Sequence, residues 1–245
     1  MRSLRGDQHA DRAPAAAPAP SAADVRLRDG AVVALAMVSG ATDAIGFLAL
    51  GSAFTSVMTG NMVLVGIAFG TGDWSAIGLV GTAIASYVVG AGLGARLAGS
   101  PDEEDGIWPD AITRALLVEL ALVGTFAVVW WSLGSDPPDD WFAPLLALNA
   151  MALGVQSSAI MRFGVSGLST TYLTGTLTTL VVRLATGHRL HTVWQPARIL
   201  AALIAGATAA AALVSQARPL APALQLVLLL AVLLAGRRLH RVGPP

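Results

Sequence analysis

The sequence contains no cysteine and no lysine, and only 12% of its 245 residues are charged. The absence of cysteine excludes disulfides, thiolate metal sites and a cysteine nucleophile. Soluble domains typically carry about 25% charged residues, so this chain is short of charge by about half. The formal net charge is zero, which excludes a broad basic surface for nucleic acid. The composition therefore argues against a soluble protein.

Apolar sequence is abundant instead, since 55% of the residues are hydrophobic. The apolar residues fall into eight segments, each near the length of about 20 residues that a helix needs to cross a bilayer. This pattern predicts an all-α, polytopic transmembrane helix bundle whose partner is the lipid bilayer. The segments span residues 31–50, 53–70, 74–98, 111–134, 142–161, 168–186, 196–214 and 219–236.

The two ends of the chain differ from the apolar part. Residues 1–29 begin with low-complexity Ala-Pro sequence and predict a disordered cytoplasmic tail. Residues 30–236 form the predicted transmembrane domain, and residues 237–245 form a basic cytoplasmic tail.

Two stretches of the transmembrane domain share one order of features. Each has an apolar helix, a small-residue break, a Ser/Thr cluster, a Thr-Gly step and a second helix. This order predicts an internal duplication, with repeat one at 30–135 and repeat two at 141–236. The alignment pairs Gly40 with Gly154, Asp43 with Ser157, and Thr59-Gly60-Asn61 with Thr174-Gly175-Thr176 after one inserted residue.

The arginines bear on how many segments cross. With a cytoplasmic N-terminus and eight spans, 11 arginines lie inside and 4 outside. If segments 53–70 and 168–186 instead enter and return on one side, 14 lie inside and only Arg218 outside. Cytoplasmic loops favour arginine, so the count favours re-entrant segments and puts both termini in the cytoplasm. Three crossings per repeat make the two repeats inverted. Eight ordinary spans in a parallel duplication remain the alternative.

The first stretch also resembles a known family. Asp43-Ala44, Gly51, Phe54-Thr55 and Met58-Thr59-Gly60-Asn61 are similar to the signature of the YoaK-like bacterial membrane proteins. The resemblance covers roughly residues 30 to 236. It implies a polytopic protein of the bacterial inner membrane and leaves the biochemical role open.

Asp43 is the strongest candidate for chemistry, because a charge within a membrane segment is costly and usually has a functional reason. It is predicted to form one polar site with the Thr59-Gly60-Asn61 break, binding a cation or proton while Thr59 and Asn61 orient a solute. Asp43→Asn is then expected to abolish transport, or its pH dependence, and to leave folding nearly intact. The alternative is an interfacial carboxylate in contact with water. If a helix starts at this break, Thr59 or Asn61 is predicted to cap it. Its free N–H groups either attract an anionic group or serve only ordinary capping.

Glu119 lies within the fourth apolar segment and is a second candidate, with Arg162 or Arg183 as its predicted partner. Asn149 and Gln156 are further polar residues at membrane depth, for which interhelical hydrogen bonding is expected. The predicted substrate-binding residues are Asp43, Thr55, Thr59, Gly60, Asn61, Glu119, Gln156, Ser157, Thr174, Gly175 and Thr176.

These residues predict a transporter or channel for a small solute or ion, with a non-transporting scaffold or partner subunit as the alternative. No serine–histidine dyad or metalloprotease motif is visible, so no enzyme and no cofactor are predicted. His188 and His191 lack a third ligand, so no metal site is predicted either.

Small residues spaced by four predict close helix packing, within one chain or in a homo-oligomer. They are Ser86, Gly90 and Gly94, then Gly66 and Gly70, then Ala202, Gly206 and Ala210.

Overall fold

The computed structural model describes residues 21–100, 105–163, 173–187 and 193–240. Within these ranges the chain forms eight α-helices and two short 3-10 helices, and no β-strand. The predicted tail residues 1–20 and 241–245, the stretch 164–172, and the pair His188 and His191 lie outside the described residues. The helices are α1 Ala22–Ala49, α2 Met58–Thr71, α3 Trp74–Ala98, α4 Asp110–Ser132, α5 Phe142–Met161, α6 Leu173–Ala185, α7 Trp194–Gln216 and α8 Ala221–His240.

Six of these helices are long and apolar enough to cross a membrane: α1, α3, α4, α5, α7 and α8. The remaining two, α2 and α6, are apolar but have only 14 and 13 residues. The predicted all-α bundle is confirmed for the described residues. The helix at the second predicted segment is shorter than expected, and the described part of the sixth segment is helical from Leu173 to Ala185.

Helix α1 begins earlier than its apolar run. The Ser21 hydroxyl accepts from the Asp24 backbone N–H, and the Asp24 carboxylate accepts from the Ser21 backbone N–H. This reciprocal cap fixes the start at Ala22, so residues 22–29 are helical rather than part of a tail. At the other end, α8 continues to His240 and includes Arg237 and Arg238.

Helices α1 and α5 are the centre of the bundle. In each, 67% of the most apolar window is buried inside the protein, a larger share than in the other four long helices. Helix α1 packs against α7 and α8, whereas α5 packs against α3 and α4. Helices α4 and α8 also pack together, which closes an inner group of α1, α4, α5 and α8.

Glycines set the two closest helix crossings. A methyl group at Gly206 of α7 would overlap the Met37 carbonyl oxygen of α1, and one at Gly90 of α3 would overlap the Met151 carbonyl oxygen of α5. Gly94 meets the Val155 backbone in the same way. The predicted packing role of the Gly90 and Gly206 stripes is therefore confirmed, and both contacts lie within one chain.

The Gly66 and Gly70 stripe on α2 does not pack in this way. Both glycines are exposed, and a methyl group at either position would meet no atom within 4 Å. The prediction of a close helix contact is therefore wrong for this stripe within a single chain.

Helices α4 and α8 are antiparallel and are joined near both ends. The Trp130 indole N–H donates to the Arg218 carbonyl oxygen at 3.2 Å. At the opposite end, Gly236 leaves room for the Trp108 ring, which a methyl group would meet at 2.5 Å. Trp108 in turn donates to the Thr113 hydroxyl at 2.9 Å. These contacts fix how α4 and α8 are positioned relative to each other along their axes.

Candidate functional site

The connection between α1 and α2 is not helical. Helix α1 ends at Ala49, and α2 begins only at Met58, five residues later than the start predicted for the second segment. The chain turns at Gly51 and Ser52, whose φ angles of 86° and 63° are left-handed. Residues 53–57 then run back along α1. This segment is called the connection below.

The Asp43 carboxylate holds the connection. Its Oδ1 accepts from the Thr55 backbone N–H at 2.7 Å, the Thr55 hydroxyl at 2.9 Å and the Ser56 backbone N–H at 2.8 Å. Its Oδ2 accepts from the Ser56 hydroxyl at 2.6 Å. Asp43 is 7% exposed and Thr55 is fully buried. Four donors satisfy an ionised carboxylate, so the arrangement needs no further cation.

Asn61 of α2 holds the same segment from the other side. Its Oδ1 accepts from the Phe54 backbone N–H at 3.0 Å, and its Nδ2 donates to the Phe54 carbonyl oxygen at 2.7 Å. The predicted capping role is wrong, because α2 has Val57 at its N-cap and no side-chain cap hydrogen bond. Thr59 lies on the exposed side of α2.

Gly46 and Gly60 have different parts in this packing. A Cβ atom at Gly46 of α1 would lie 2.9 Å from the Thr55 Cγ2 and 3.0 Å from the Ala53 carbonyl oxygen. The connection therefore packs directly against the α1 backbone. At Gly60, a Cβ atom would be 3.3 Å from Val57 Cγ1, a tight contact with a side chain only. Of the predicted polar site, Asp43 and Asn61 bind the same segment, to which Thr55 belongs, while Thr59 lies outside it.

The second stretch is less enclosed. Thr174 and Gly175 are exposed on α6, and Thr176 is buried. Ser157, the residue aligned with Asp43, is buried and donates to the Leu153 carbonyl oxygen of its own helix at 2.7 Å. Residues 164–172, which correspond to the connection, lie outside the described part of the chain.

Two buried amides bind α1 to its neighbours. Gln156 of α5 donates to the Ser39 hydroxyl at 2.8 Å, and Gln225 of α8 donates to the Thr42 hydroxyl at 2.7 Å. Each hydroxyl in turn donates to a backbone carbonyl oxygen of α1. The expected interhelical hydrogen bond of Gln156 is therefore confirmed. Sequence reasoning missed Gln225, although an amide inside the apolar run of α8 was a visible signal.

Glu119 of α4 and Asn149 of α5 are fully buried. Neither side chain has a hydrogen-bond partner among the described residues. Arg162 instead bonds to Asp105 at 2.7 Å and to the Ala98 carbonyl oxygen. The predicted pairing of Glu119 with Arg162 or Arg183 is therefore wrong. Glu119, Ser39, Thr42, Gln156 and Gln225 are called the polar layer below.

Comparison with known proteins identifies the family. Residues 31–236 match the family described as "Protein of unknown function (DUF1275)". The chain belongs to this family. The DUF1275 chain is also 33% identical over 147 residues to the UPF0700 transmembrane protein YoaK of Bacillus subtilis strain 168. That alignment covers 60% of this chain and 63% of the relative. No solved structure matches. The predicted resemblance to YoaK-like proteins is confirmed, and the chain is a multi-pass membrane protein.

Proposed function

We propose that this DUF1275 protein is a transporter or channel that moves a small solute or ion, rather than an enzyme. The observation that carries the proposal is the pair of short apolar helices. Helix α2 has 14 residues and α6 has 13 described residues, which correspond to about 21 and 20 Å, whereas the hydrocarbon core is about 30 Å thick. Short or interrupted helices at corresponding positions of two repeats are typical of transporter binding sites.

Contacts of the connection support a re-entrant path for α2. Asp43 lies six residues before the end of α1, about 9 Å from it along the helix. Helix α2 therefore begins at this depth, inside the bundle. Gly51, at the outer turn, packs against Leu79 of α3 and Phe142 of α5. Helix α3 thus starts at the same end of the bundle as Gly51. Helix α2 therefore returns to the end of the bundle at which α1 ends.

Helix α6 is placed in a comparable way at the opposite end. Leu173, its first described residue, packs against a buried cluster of Val32 and Ala36 of α1 with Ile199 and Ala202 of α7. The N-terminal end of α7 lies near the start of α1, because the Gln195 side chain donates to the Asp29 carbonyl oxygen at 3.3 Å. Leu173 is therefore about 7 to 12 Å inside that end. These contacts support a second re-entrant helix, which enters from the face opposite to α2.

The two glycine crossings support the inverted repeat. In the α1–α7 crossing, Gly40 faces the Leu203 backbone and Gly206 faces the Met37 backbone. The α5–α3 crossing has the same spacing in each helix, with Gly154 facing the Tyr87 backbone and Gly90 facing the Met151 backbone. The first helix of each proposed repeat thus packs against the third helix of the other.

We propose further that both termini face the cytoplasm of a bacterial inner membrane. Under this topology 14 of the 15 arginines lie on the cytoplasmic side. The exception, Arg218, forms an ion pair with Asp136 of the acidic loop at the other end. The one arginine that this topology places on the outer face is therefore paired with an acidic residue of the same face.

The polar layer is the proposed place of solute or ion handling. Asp43, Thr55 and Asn61 use their hydrogen bonds on the connection and act as positioning residues that hold the start of α2. The same observation favours the second candidate, a scaffold or partner subunit, because a site fully engaged with its own chain leaves nothing for a solute.

Flux measurements on purified protein in liposomes separate the two candidates. The panel should contain Na⁺, K⁺, Cl⁻, protons, and small organic acids and amines, with protein-free liposomes as the baseline. A transporter or channel increases the flux of at least one probe. Baseline flux for every probe, with protein that is folded and correctly inserted, contradicts the proposal and favours the scaffold.

A further inference from the structure

Glu119 lies at the level of Gln225, near mid-height of the bundle. It is midway in sequence between Trp108 and Trp130, the two residues that join α4 to α8. On α8, the corresponding contacts are at Arg218 and Gly236, and Gln225 is within about 3 Å of their midpoint along the axis. The buried faces of α4 and α8 pack together through Leu116, Val123 and Leu229, which are one turn from Glu119 or Gln225.

The orientation of the Gln225 amide is determined by its partner. The Thr42 hydroxyl donates its hydrogen to the Val38 carbonyl oxygen at 2.7 Å, so it accepts from Gln225, which must present its Nε2. The Gln225 Oε1 therefore points elsewhere, and it has no donor among the described residues. The layer thus holds an acceptor on Gln225 and two acceptor oxygens on Glu119 without described donors.

Charged and titratable groups on the neighbouring helices do not compensate Glu119. On α3, Arg96 is exposed and Tyr87 is half-buried. Arg162, beyond the end of α5, bonds to Asp105, and Arg237 and Arg238 of α8 are exposed. On α1, the Asp43 carboxylate is held by Thr55 and Ser56. On α4 itself, Arg114 is exposed and Asp110 is at the first residue. An ionised carboxylate without a partner is costly in such a core.

We propose that Glu119 is a proton-carrying residue and that the transport proposed above is coupled to protons. A proton from water on one face forms an O–H bond with one Glu119 oxygen, which makes the side chain neutral and turns it into a donor. An acceptor at its own level is then available at Gln225 Oε1. When the site opens to the other face, the O–H bond breaks and the proton returns to water. No other reactant is required.

A proton fits the layer better than a metal ion. Hard metal cations take about six or more oxygen ligands. Glu119 is the one acidic residue of the layer, and Asp43, which follows Thr42 in the chain, already has four hydrogen-bond donors. Among the described residues, no group of three or more His, Cys, Asp or Glu side chains could hold a metal.

The test compares proton uptake by wild type, Glu119→Gln and Asp140→Asn, the last removing an exposed carboxylate of the acidic loop. Liposomes carry an entrapped pH dye, and a K⁺ diffusion potential with valinomycin makes their interior negative. Wild type and Asp140→Asn should acidify the interior, whereas Glu119→Gln should fall to the rate of protein-free liposomes. Equal rates for wild type and Glu119→Gln overturn the proposal.

The proposal rests on the proposed function, but the two can fail separately. If wild type moves a probe of the panel while its proton uptake does not depend on Glu119, transport stands and proton coupling falls. If proton uptake depends on Glu119 and no other probe moves, the proton itself is the transported ion. Infrared spectra of wild-type protein give a second measurement that needs no variant to fold. They should show the C=O band of a protonated carboxylic acid at neutral pH, and its absence also overturns the proposal.

Discussion

Asp43 and Asn61 hold neighbouring residues of one short segment from two different helices. The Asp43 carboxylate binds Thr55 and Ser56, and the Asn61 amide binds both backbone groups of Phe54. Together they satisfy the polar groups of a non-helical segment inside an apolar bundle, which is the condition for irregular backbone at membrane depth. The motif residues of the first stretch thus position α2.

Replacing Asp43 tests its positioning role. Asp43→Ala leaves the buried Thr55 and Ser56 N–H groups without their acceptor and should lower stability by about 2–4 kcal/mol. Asp43→Asn should be much milder, because its oxygen can accept the same backbone N–H groups and its NH₂ can donate to the Ser56 hydroxyl. Thermal melting in detergent measures both.

The hydrogen bonds of Asp43 also change an expectation from the sequence. Because both Asp43 oxygens are occupied by the connection, Asp43→Asn is now expected to retain flux, instead of abolishing it. If the Asn variant is stable but inactive, Asp43 itself handles the solute and the positioning role is incorrect.

Asn61→Ala should also loosen the connection. It removes the partners of the Phe54 N–H and carbonyl groups, each worth about 1–3 kcal/mol if left unpaired. Thr59→Ala, two residues away on the exposed side of α2, is the matched control and should change stability by less than about 0.5 kcal/mol. Equal melting temperatures for the two variants would show that the Asn61 clamp contributes nothing.

Gly90→Ala should be strongly destabilising. Its methyl group would overlap the Met151 carbonyl oxygen, so the two helix backbones must move apart, at a cost of at least about 1–3 kcal/mol. Gly92→Ala lies two residues along the same helix, where a methyl group meets no atom within 4 Å. This control should be neutral or stabilising by up to about 1 kcal/mol, since alanine favours helix. Similar melting temperatures for the Gly90→Ala and Gly92→Ala variants would contradict the close contact between α3 and α5 at Gly90.

Asp73 provides a pH-dependent prediction outside the membrane-spanning helices. The Ser75 hydroxyl and the Ala76 N–H donate to its carboxylate, and these bonds hold the pKa of Asp73 below its usual value. Its stabilising effect is therefore present above the ordinary pKa and is lost as the pH falls through the lowered one. The melting difference between wild type and Asp73→Asn should be constant near neutral pH and shrink in acid. A difference that does not change with pH would contradict this.

The helices were largely predictable from the sequence, because apolar runs of spanning length have few alternatives. The start of α2 was not, since the residues that prevent helix at 53–57 include Asp43, 12 residues earlier and on another helix. The Glu119 environment was also not predictable. Its lack of an arginine partner depends on Arg162 binding Asp105 and Ala98 at the end of the bundle.

The glycine stripes show the same limit. Spacing by four correctly indicated close packing for Gly90 and Gly206, which face backbone carbonyl groups. The identical spacing of Gly66 and Gly70 leads to no contact in the chain. Spacing identifies a face that permits close approach, but the neighbour is determined by the tertiary arrangement.

The re-entrant path of α2 is the central claim, and cysteine labelling tests it most directly. The chain has no native cysteine, so Thr71→Cys, Asp139→Cys and Ser100→Cys each provide a single exposed thiol. In intact cells, a membrane-impermeant maleimide should label Thr71→Cys and Asp139→Cys, whereas Ser100→Cys should react only after permeabilisation. If α2 crosses the membrane, Thr71→Cys will react only after permeabilisation and Ser100→Cys will be labelled in intact cells, because α3 separates the two positions. That result would contradict the re-entrant path.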